Sequence, residues 1–364
     1  MSNKNDLQYL NALNKINGVG PQKLRKLMAY FDSPEKIWNA PSEALAASGV
    51  GEALASKISA QRSDIDPEQE WQRLEKENIE MIIETDDRYP RLLKEIPTAP
   101  YILYMKGEID LNAPMVSIVG SRKYTDYGSR AAYAFAKGLA KAGITVVSGM
   151  AYGIDSIAHR GALDGGGKTI AVLGDSLDDK NIYPTSNFRL SREIAASGCL
   201  LSDYPIETPA GIPGNFPARN RIIAGLSSGT LVIEAGEKSG TLITSNLALE
   251  FNRDVFAVPG PIFSPQSVGT NDLIKKGAKT VTGIQDILEE LNLERIAEKS
   301  QAPAKIPSSK EEEAVLRLLS NEPVHIDNIS KDSKLGTATV ASTLAMMEIK
   351  GWTRNIGGQN YILS

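Results

Sequence analysis

Short apolar runs alternate with helical stretches between residues 115 and 258, and this alternation constrains the fold of the 364-residue chain more than any other feature. The runs lack the polar residue at every second position that a strand facing water would carry, so each run is expected to be buried on both faces. Buried strands separated by helices are typical of a parallel sheet with helices on each side. We therefore predict an α/β fold with an extended, doubly wound, mostly parallel, Rossmann-like sheet.

The predicted strands are Met115–Val119, Ile144–Val147, Thr169–Leu173, Leu200–Leu201, Thr230–Ile233 and Val255–Val258. The predicted helices are Tyr127–Lys141, Ile154–Leu163, Asn187–Ala196, Arg219–Leu226 and Leu242–Phe251. In an open parallel sheet the loops after the strands meet at one edge, where ligands bind. A functional site is therefore expected at these loops.

The first sixty residues are predicted to be helical and contain a repeated turn. Gly-Val-Gly triplets begin at Gly18 and at Gly49, 31 residues apart, and each precedes an amphipathic run. Such turns resemble the helix-hairpin-helix motif, in which the following helix offers free N–H groups to a phosphate. Two interpretations stay open: contact with DNA, and an αα-hairpin that needs glycine only for its turn.

The tail is predicted to be a winged helix, with helices Glu311–Leu319, Ile326–Lys331 and Thr337–Lys350 followed by a β-hairpin. The second half of this helix-turn-helix carries no lysine or arginine between residues 337 and 347, although groove reading relies on such side chains. We interpret this domain as a protein-contact or duplex-sensing accessory. The predicted domains are 1–62 (helical, helix-hairpin-helix or SAM-like), 63–292 (Rossmann-like core), 293–310 (linker) and 311–364 (winged helix).

Composition excludes several functional classes. The net charge of −4 argues against a protein that binds nucleic acid by bulk positive charge, so any phosphate site must be local. With one cysteine and two histidines, the chain is expected to form neither an internal disulfide nor a zinc cluster, and we predict no metal and no cofactor. The polar start and the lack of any apolar run near ~20 residues predict a cytoplasmic protein without a membrane segment.

Four loops after predicted strands are rich in glycine and hydroxyl side chains. They contain Gly120-Ser121-Arg122, Ser148-Gly149, Gly174-Asp175 and Ser239-Gly240-Thr241. Small residues let a ligand approach the backbone, and helix N-termini direct N–H groups at an anion. Arg122 adds a guanidinium that can bind phosphate with two hydrogen bonds. The segment 216–221 is predicted to place Arg219, Asn220 and Arg221 at another helix start.

Three other motifs fail on inspection. The segment from Gly161 to Thr169 resembles a P-loop but is one residue too long and precedes a strand, and no Gly-x-Gly-x-x-Gly follows the first strand. Asp155 and His159 share a helical face, where an internal ion pair or hydrogen bond is favoured over a metal site. A serine triad would need Ser148 with His159 and is disfavoured, so no catalytic residue is predicted.

Six ordered motifs resemble the bacterial DNA-processing protein A family, also called DprA or Smf. The likeness is strong over residues 80–290, and the helical N-terminus and winged-helix tail occur in many members. The motifs are Gly120-Ser121-Arg122, Ser148-Gly149-x-Ala151-x-Gly153-Ile154-Asp155-x-x-Ala158-His159, Tyr183-Pro184-x-x-Asn187, Phe216-Pro217-x-Arg219-Asn220-Arg221-Ile222-Ile223, Ser239-Gly240-Thr241-Leu242-Ile243-Thr244 and Val258-Pro259-Gly260.

The resemblance implies a single-stranded DNA-binding protein without established catalysis, which protects incoming DNA during natural transformation and helps load RecA recombinase. It also implies a homodimer through the core, a basic pocket for the strand, and displacement or tolerance of single-strand-binding protein, which is a further possible partner. Arg122 is the main residue carried over, and bases could stack on Tyr124, Phe188 or Phe216 unless these rings belong to the core. The DNA- or phosphate-binding residues predicted in all are Gly120, Ser121, Arg122, Ser148, Gly149, Asn187, Arg189, Arg219, Asn220, Arg221, Ser239, Gly240 and Thr241.

Two further readings remain as alternatives. The loop that ends in Ser239-Gly240-Thr241 resembles that of nucleotide-cleaving Rossmann enzymes of the lysine-decarboxylase-like (LOG) type, with Glu234 as the available carboxylate. Glu237 and Lys238 interrupt the glycine pattern of those enzymes. The other alternative is a transcription regulator that uses the winged helix, and the charge of that domain disfavours it.

Overall fold

The computed structural model describes residues 3–301, 307–320 and 323–363. The chain forms two compact units, residues 1–301 and residues 302–364. Within the described ranges, no helix has the length and apolar character needed to cross a lipid bilayer.

Six helices open the first unit, and both Gly-Val-Gly triplets form turns. Gly18 and Gly49 have backbone φ angles of +100° and +84°, which residues other than glycine rarely adopt. Val19 and Val50 between the glycines are buried. The helices are α1 (Lys4–Asn14), α2 (Pro21–Tyr30), α3 (Pro34–Asn39), α4 (Ser42–Leu45), α5 (Glu52–Gln61) and α6 (Pro67–Lys76).

Strands and helices alternate through the rest of the first unit. They are β1 (Glu80–Ile83), α7 (Arg91–Lys94), β2 (Ile102–Gly107), β3 (Met115–Val119), α8 (Asp126–Lys141), β4 (Thr145–Ser148), α9 (Ile154–Asp164), β5 (Thr169–Val172), α10 (Phe188–Ser197), β6 (Cys199–Ser202), α11 (Asn215–Leu226), β7 (Gly229–Val232), α12 (Thr241–Glu250), β8 (Asp254–Ala257), α13 (Val268–Lys275), β9 (Lys279–Thr280), α14 (Ile284–Glu290) and α15 (Glu294–Gln301).

The strands form one nine-stranded sheet in the order β1-β2-β6-β5-β4-β3-β7-β8-β9. All pairs from β6 to β9 are parallel, whereas β1 and β2 join antiparallel at one edge. Every residue of β3, β4, β5, β6 and β7 is buried. The predicted doubly wound, mostly parallel sheet is therefore confirmed, and it rests on the continuous apolar runs seen in the sequence.

Helix α11 differs from the prediction in where it begins. It starts at Asn215, four residues before the predicted start, because Pro217 is compatible with the first turn of a helix. Arg219, Asn220 and Arg221 consequently lie in the second turn instead of at the helix N-terminus. The expectation that they stand at a helix start is wrong.

The N-terminal helices share an apolar core with one face of the sheet. Leu13 and Leu24 belong to the same buried cluster as Tyr104 and Leu200, and the Tyr104 hydroxyl donates to Asn11 Oδ1 at 2.9 Å. The predicted division at residue 62 therefore does not separate two independent cores. At the other end, α15 occupies the first part of the predicted linker, where Ala297 is buried, and residues 302–306 lie outside the described residues.

The second unit is a winged helix, as predicted. Its core is formed by Val315, Ile329, Val340, Leu344 and Met347, all fully buried. The strand order is β10-β12-β11, and the two-residue strand β10 was too short to give a sequence signal. The elements are α16 (Lys310–Leu316), β10 (Val324–His325), α17 (Ile326–Ser333), α18 (Thr337–Ile349), β11 (Thr353–Asn355) and β12 (Asn360–Leu363).

Candidate nucleic-acid interface

A cavity of about 750 Å³ opens at the carboxyl ends of the central strands. After β3 the chain continues to β4 on one side, while β7 lies on the other side, so this is the point at which the strand order reverses. Eight of the thirteen predicted site residues line this cavity: Gly120, Ser121, Arg122, Arg219, Asn220, Ser239, Gly240 and Thr241.

Glycines allow the loops after β3 and β4 to meet. A Cβ on Gly153 would lie 2.5 Å from the Ser121 carbonyl oxygen, and Gly153 also has a φ of +85°. A Cβ on Gly120 would lie 2.6 Å from the Ile154 side chain. Any larger residue at either position would push the loops apart, which fixes Arg122 beside the start of α9.

Arg122 is exposed at the cavity rim, and its guanidinium lies over the Phe216 ring at 5.8 Å from the ring centroid. The Phe216 ring in turn packs against Tyr183 at 5.6 Å. Stacking on a ring orients a guanidinium while leaving its N–H groups available. Arg122 is therefore held in place without using its hydrogen-bond donors.

Two lysines of the same rim were not among the predicted site residues. Lys123 follows Arg122 directly, and Lys238 belongs to the loop after β7, and both side chains are exposed. Within the described part of the chain, neither lysine nor Arg122 has a carboxylate partner. Their place in the glycine-rich loops was the available sequence signal. In the described residues the rim thus holds three cations that form no ion pair with an acidic side chain, although the exposed Glu237 precedes Lys238 in the same loop.

Arg219 lies under the cavity and not on its rim. Its side chain is 4% exposed, and its Nη1 donates to the Gly149 carbonyl at 2.8 Å and to the Val172 carbonyl. A Cβ on Gly149 would lie 2.6 Å from this guanidinium, so only glycine leaves room for it. Arg219 therefore connects the loop after β4 to the end of β5. The sequence predicted a phosphate-binding side chain and did not indicate this structural role.

Two buried carboxyl groups feel the Arg219 charge. Burial raises the pKa of Asp175 to about 7, and the nearby Arg219 guanidinium opposes this rise. Burial likewise raises the pKa of Asp155, again opposed by Arg219, and the Ala151 N–H lies 3.4 Å from its carboxylate. Arg219 and Asp155, which line the cavity, and the nearby Asp175 thus form a group whose charges depend on one another.

The loops also carry hydroxyl groups that organise their own backbone. Ser121 Oγ accepts from the Lys123 N–H at 3.0 Å and lies 3.0 Å from the Gln266 side-chain oxygen. Ser239 Oγ accepts from the Thr241 N–H at 3.2 Å, where α12 begins. The helix N-terminus that faces the cavity favours an anion.

Five predicted residues do not line this cavity: Ser148, Gly149, Asn187, Arg189 and Arg221. Ser148 is fully buried and bonded to the Ile118 carbonyl at 2.6 Å, and Asn187 donates to the Met150 carbonyl at 2.9 Å. Arg189 is exposed and paired with Glu193, and Arg221 forms a 2.5 Å ion pair with Asp203. Ser148, Asn187 and Arg221 are therefore bonded within the protein, whereas the Arg189 side chain is 93% exposed and its surface pair with Glu193 holds it only weakly.

Glu234, the carboxylate of the alternative enzyme hypothesis, is buried. It accepts from the Thr125 N–H at 2.9 Å and from its hydroxyl at 2.5 Å, which braces the start of α8. A Cβ on Gly128 would lie 2.2 Å from its carboxylate oxygen. Both carboxylate oxygens of Glu234 thus accept hydrogen bonds from the protein, and neither is free to bind a ligand.

His159 forms an internal hydrogen bond, although not to Asp155. Its Nδ1 lies 2.7 Å from the Thr169 hydroxyl, and burial lowers its pKa to about 3. Over the described residues, no group of histidine, cysteine and acidic side chains has the arrangement of a metal site.

Known proteins resemble this chain in sequence over most of its length. Residues 80–292 match the family model of DNA recombination-mediator protein A, and residues 299–359 match that of the DprA winged helix domain. Protein Smf of Synechocystis is 35% identical, over 99% of both chains. DNA processing protein DprA of Streptococcus pneumoniae is 48% identical, over 56% of this chain and 72% of that protein.

Two solved structures resemble the fold. DNA processing protein A of Streptococcus pneumoniae matches with a TM-score of 0.68 and 37% identity, over 78% of this chain and 97% of that one. DNA processing protein A of Helicobacter pylori, described for its single-stranded DNA binding mode, matches with a TM-score of 0.53 and 33% identity. That match covers 59% of this chain and 96% of the other.

Proposed function

The chain belongs to the family of DNA recombination-mediator protein A, and on this premise we propose that it binds single-stranded DNA at the strand-end cavity. In this proposal the phosphates bind Arg122 and the glycine-lined loops. The relative from Helicobacter pylori has a described single-stranded DNA binding mode, which supports the same ligand for this chain.

The observation that carries the proposal is the set of free cations on the rim. Arg122, Lys123 and Lys238 surround one cavity without acidic partners in the described ranges, in a chain whose net charge is negative. Between residues 114 and 290, 17 basic residues balance 17 acidic ones, so the core carries no net charge. The positive charge at the cavity rim is therefore a local feature of the surface. A polyanion is therefore attracted to this cavity and not to the surface as a whole.

Aromatic rings near the rim favour unpaired strands over duplex. Tyr124 and Tyr152, which directly follow the cavity residues Lys123 and Ala151, are 47% and 46% exposed, and Phe216 lies in the cavity wall. Phe188 is 36% exposed but does not line this cavity. Bases can stack on exposed rings only when they are not already stacked in a double helix, and such stacking tolerates any sequence. Arg122 can thus bind a phosphate while a base stacks on an exposed ring beside it.

We also propose the remaining steps that the family resemblance implies. The protein acts in the cytoplasm as a homodimer through its core, protects incoming DNA, tolerates single-strand-binding protein and delivers the strand to RecA during natural transformation or recombination. Edge strands β1 and β9 each have one paired side, which supports contact between copies. RecA filament growth on DNA already coated by single-strand-binding protein would separate loading from simple binding.

The test of DNA binding is the variant Arg122→Ala. We expect the affinity for a single-stranded oligonucleotide to fall about 10-fold or more at low salt, since one charge-assisted phosphate contact is lost. The slope of log K against log salt should flatten by about 0.7. Fluorescence anisotropy across a salt series measures both quantities.

Arg88→Ala is the matched control, because Arg88 lies outside the cavity and is paired with Glu80. It should leave affinity and slope unchanged. If Arg122→Ala behaved like this control, Arg122 would be removed from the site. A crosslinking map with a short oligonucleotide should label loops 120–123 and 236–241 in the unmodified protein.

The enzyme alternative is weaker, because both carboxylate oxygens of Glu234 accept hydrogen bonds from Thr125. We infer that the protein does not cleave nucleotides. Incubation with nucleoside monophosphates should release no free base, and base release that Glu234→Gln abolished would establish the enzyme instead.

A further inference from the structure

The turn between β8 and α13 carries two apolar side chains that lie almost entirely in solvent. Ile262 is 79% exposed and Phe263 is 93% exposed, the highest value for a large apolar side chain in the described residues. Isolated exposed apolar residues are common, but an adjacent pair at the tip of a turn beside a cavity points to a binding role.

The turn is held in shape by hydrogen bonds. The Ser264 N–H donates to the Pro261 carbonyl at 3.0 Å, and Asn271 Nδ2 donates to the Gly260 carbonyl at 3.1 Å. Because the backbone is already ordered, a ligand that contacts Phe263 pays little additional ordering entropy.

The turn continues directly into the cavity wall. Gln266, three residues after Phe263, lines the cavity and lies within hydrogen-bond distance of the Ser121 hydroxyl. Three residues span at most ~11 Å, so the two Cα atoms of Phe263 and Gln266 are no further apart than that. A strand bound in the cavity can therefore reach the Phe263 ring without leaving the protein surface.

The charge around the turn suits a polyanion. Residues 258–271 contain no aspartate or glutamate. The loop that carries Lys238 lies alongside, since a Cβ on Gly236 would be 3.7 Å from the Pro265 carbonyl oxygen. Within the turn no carboxylate repels a phosphate backbone, and the neighbouring loop carries one exposed lysine, Lys238, next to one exposed acid, Glu237.

We propose that Phe263 is a stacking platform for one unpaired base of a strand whose phosphates occupy the cavity, with Ile262 flanking that base. This inference rests on the proposed function and adds a base-contact subsite to it. The base is preferred over a protein partner as occupant because the turn is continuous with the phosphate cavity and free of acidic groups. Stacking on a phenyl ring accepts all four bases, as a general DNA-processing protein needs.

The test compares Phe263→Ala with Phe263→Trp in the full chain. Both substitutions lie at an exposed position and leave the core intact. We expect Phe263→Ala to weaken binding of a 12-nucleotide single strand about 10-fold and Phe263→Trp to retain it. Ile349→Ala, which removes another apolar side chain that is 81% exposed, is the matched control and should have no effect.

A second measurement identifies the base itself. A series of oligonucleotides, each with one abasic position, should show one position at which the unmodified protein loses affinity. Phe263→Ala should be insensitive to base loss at that same position, because the stacking contact is already absent.

The outcomes separate this inference from the proposed function. If Arg122→Ala weakens binding and Phe263→Ala does not, the stacking platform is wrong and DNA binding at the cavity stands. If neither variant weakens binding, both fail. If Phe263→Ala changes only the sedimentation mass of the free protein, the turn is a contact between copies and the inference is overturned.

Discussion

Two regions of this protein combine glycine-rich turns with lysine and arginine, and they use those cations in opposite ways. In the N-terminal repeat, Lys23 Nζ donates to the Val50 carbonyl at 3.0 Å and Lys26 Nζ donates to the Gly49 carbonyl at 3.2 Å. Arg25 binds Glu84 through two hydrogen bonds of 2.9 and 2.8 Å. At the strand-end cavity, by contrast, three cations have no such partner in the described ranges.

The contrast shows that a cation near a glycine turn is a binding candidate only when the fold leaves it uncommitted. In the repeat, the basic side chains of one turn bond to the carbonyls of the other, which stabilises the hairpin pair. Of the two interpretations of the repeat, these contacts favour the packed αα-hairpin over contact with DNA. We therefore expect committed cations to serve stability and free cations to serve binding.

The largest expected effect belongs to Arg219, the one committed cation beneath the cavity. Arg219→Leu leaves the Gly149 and Val172 carbonyls without their donor and two buried carboxyls without a counter-charge. We expect the free energy of unfolding to fall by about 3–5 kcal/mol at neutral pH. Urea denaturation measures it, with Arg219→Lys as a control that keeps the charge and loses the forked geometry. An equal loss in both variants would mean that charge is unimportant here.

The same variant should respond to pH. In the native protein the pKa of Asp175 is raised to about 7, above its unfolded value, so its contribution to stability is lost as pH rises from about 4 to 7. Without Arg219 the pKa values of Asp175 and Asp155 rise further. The deficit of Arg219→Leu should therefore be smaller at pH 5 than at pH 8, and a deficit independent of pH would contradict the electrostatic account.

The next effect concerns Arg25, which represents the committed cations of the repeat. Arg25→Ala breaks a partly buried, bidentate pair with Glu84 and the bond to the Ala99 carbonyl at 2.8 Å. We expect a loss of about 1–3 kcal/mol in the free energy of unfolding. Single-stranded DNA affinity should not change, in contrast to Arg122→Ala. Weaker DNA binding by the folded Arg25→Ala variant would break the comparison and restore the DNA-contact interpretation of the repeat.

The sequence predicted the sheet and the site's main outline because both depend on local patterns. Continuous apolar runs revealed the strands, and glycine-rich loops after them located the cavity. The fate of individual side chains was not predictable, since Arg219 and Arg122 look alike in sequence. What distinguishes a committed arginine from a free one is a partner that is distant in sequence. The partner of Arg219, the Gly149 carbonyl, lies 70 positions away, and the partner of Arg221, Asp203, lies 18 positions away.

The start of α11 and the existence of α15 were also not predicted. Pro217 was compatible with a helix that the apolar pattern placed later, and α15 was hidden in a polar stretch that reads as a linker. Polar composition predicts exposure of most side chains but does not exclude a helix that buries one narrow stripe.

The smallest expected effect extends the comparison to the winged helix. The exposed residues of α18 are Thr337, Ala338, Thr339, Ala341, Ser342, Ala345, Met346, Glu348 and Ile349. None of them is a lysine or arginine that could pair its charge with a phosphate. Lys350, at the helix end, is committed to Glu312 at 2.6 Å and lies over Trp352.

Deleting residues 305–364 should therefore change single-stranded DNA affinity by less than about twofold. The slope of log K against log salt should stay within about 0.7 of that of the full chain, because no phosphate contact of the cavity is removed. Anisotropy at matched salt concentrations measures both, and Arg122→Ala in the shortened chain should lose as much affinity as in the full one. Loss of nearly all affinity on deletion would place the main DNA contacts in the winged helix and would make the cavity cations secondary.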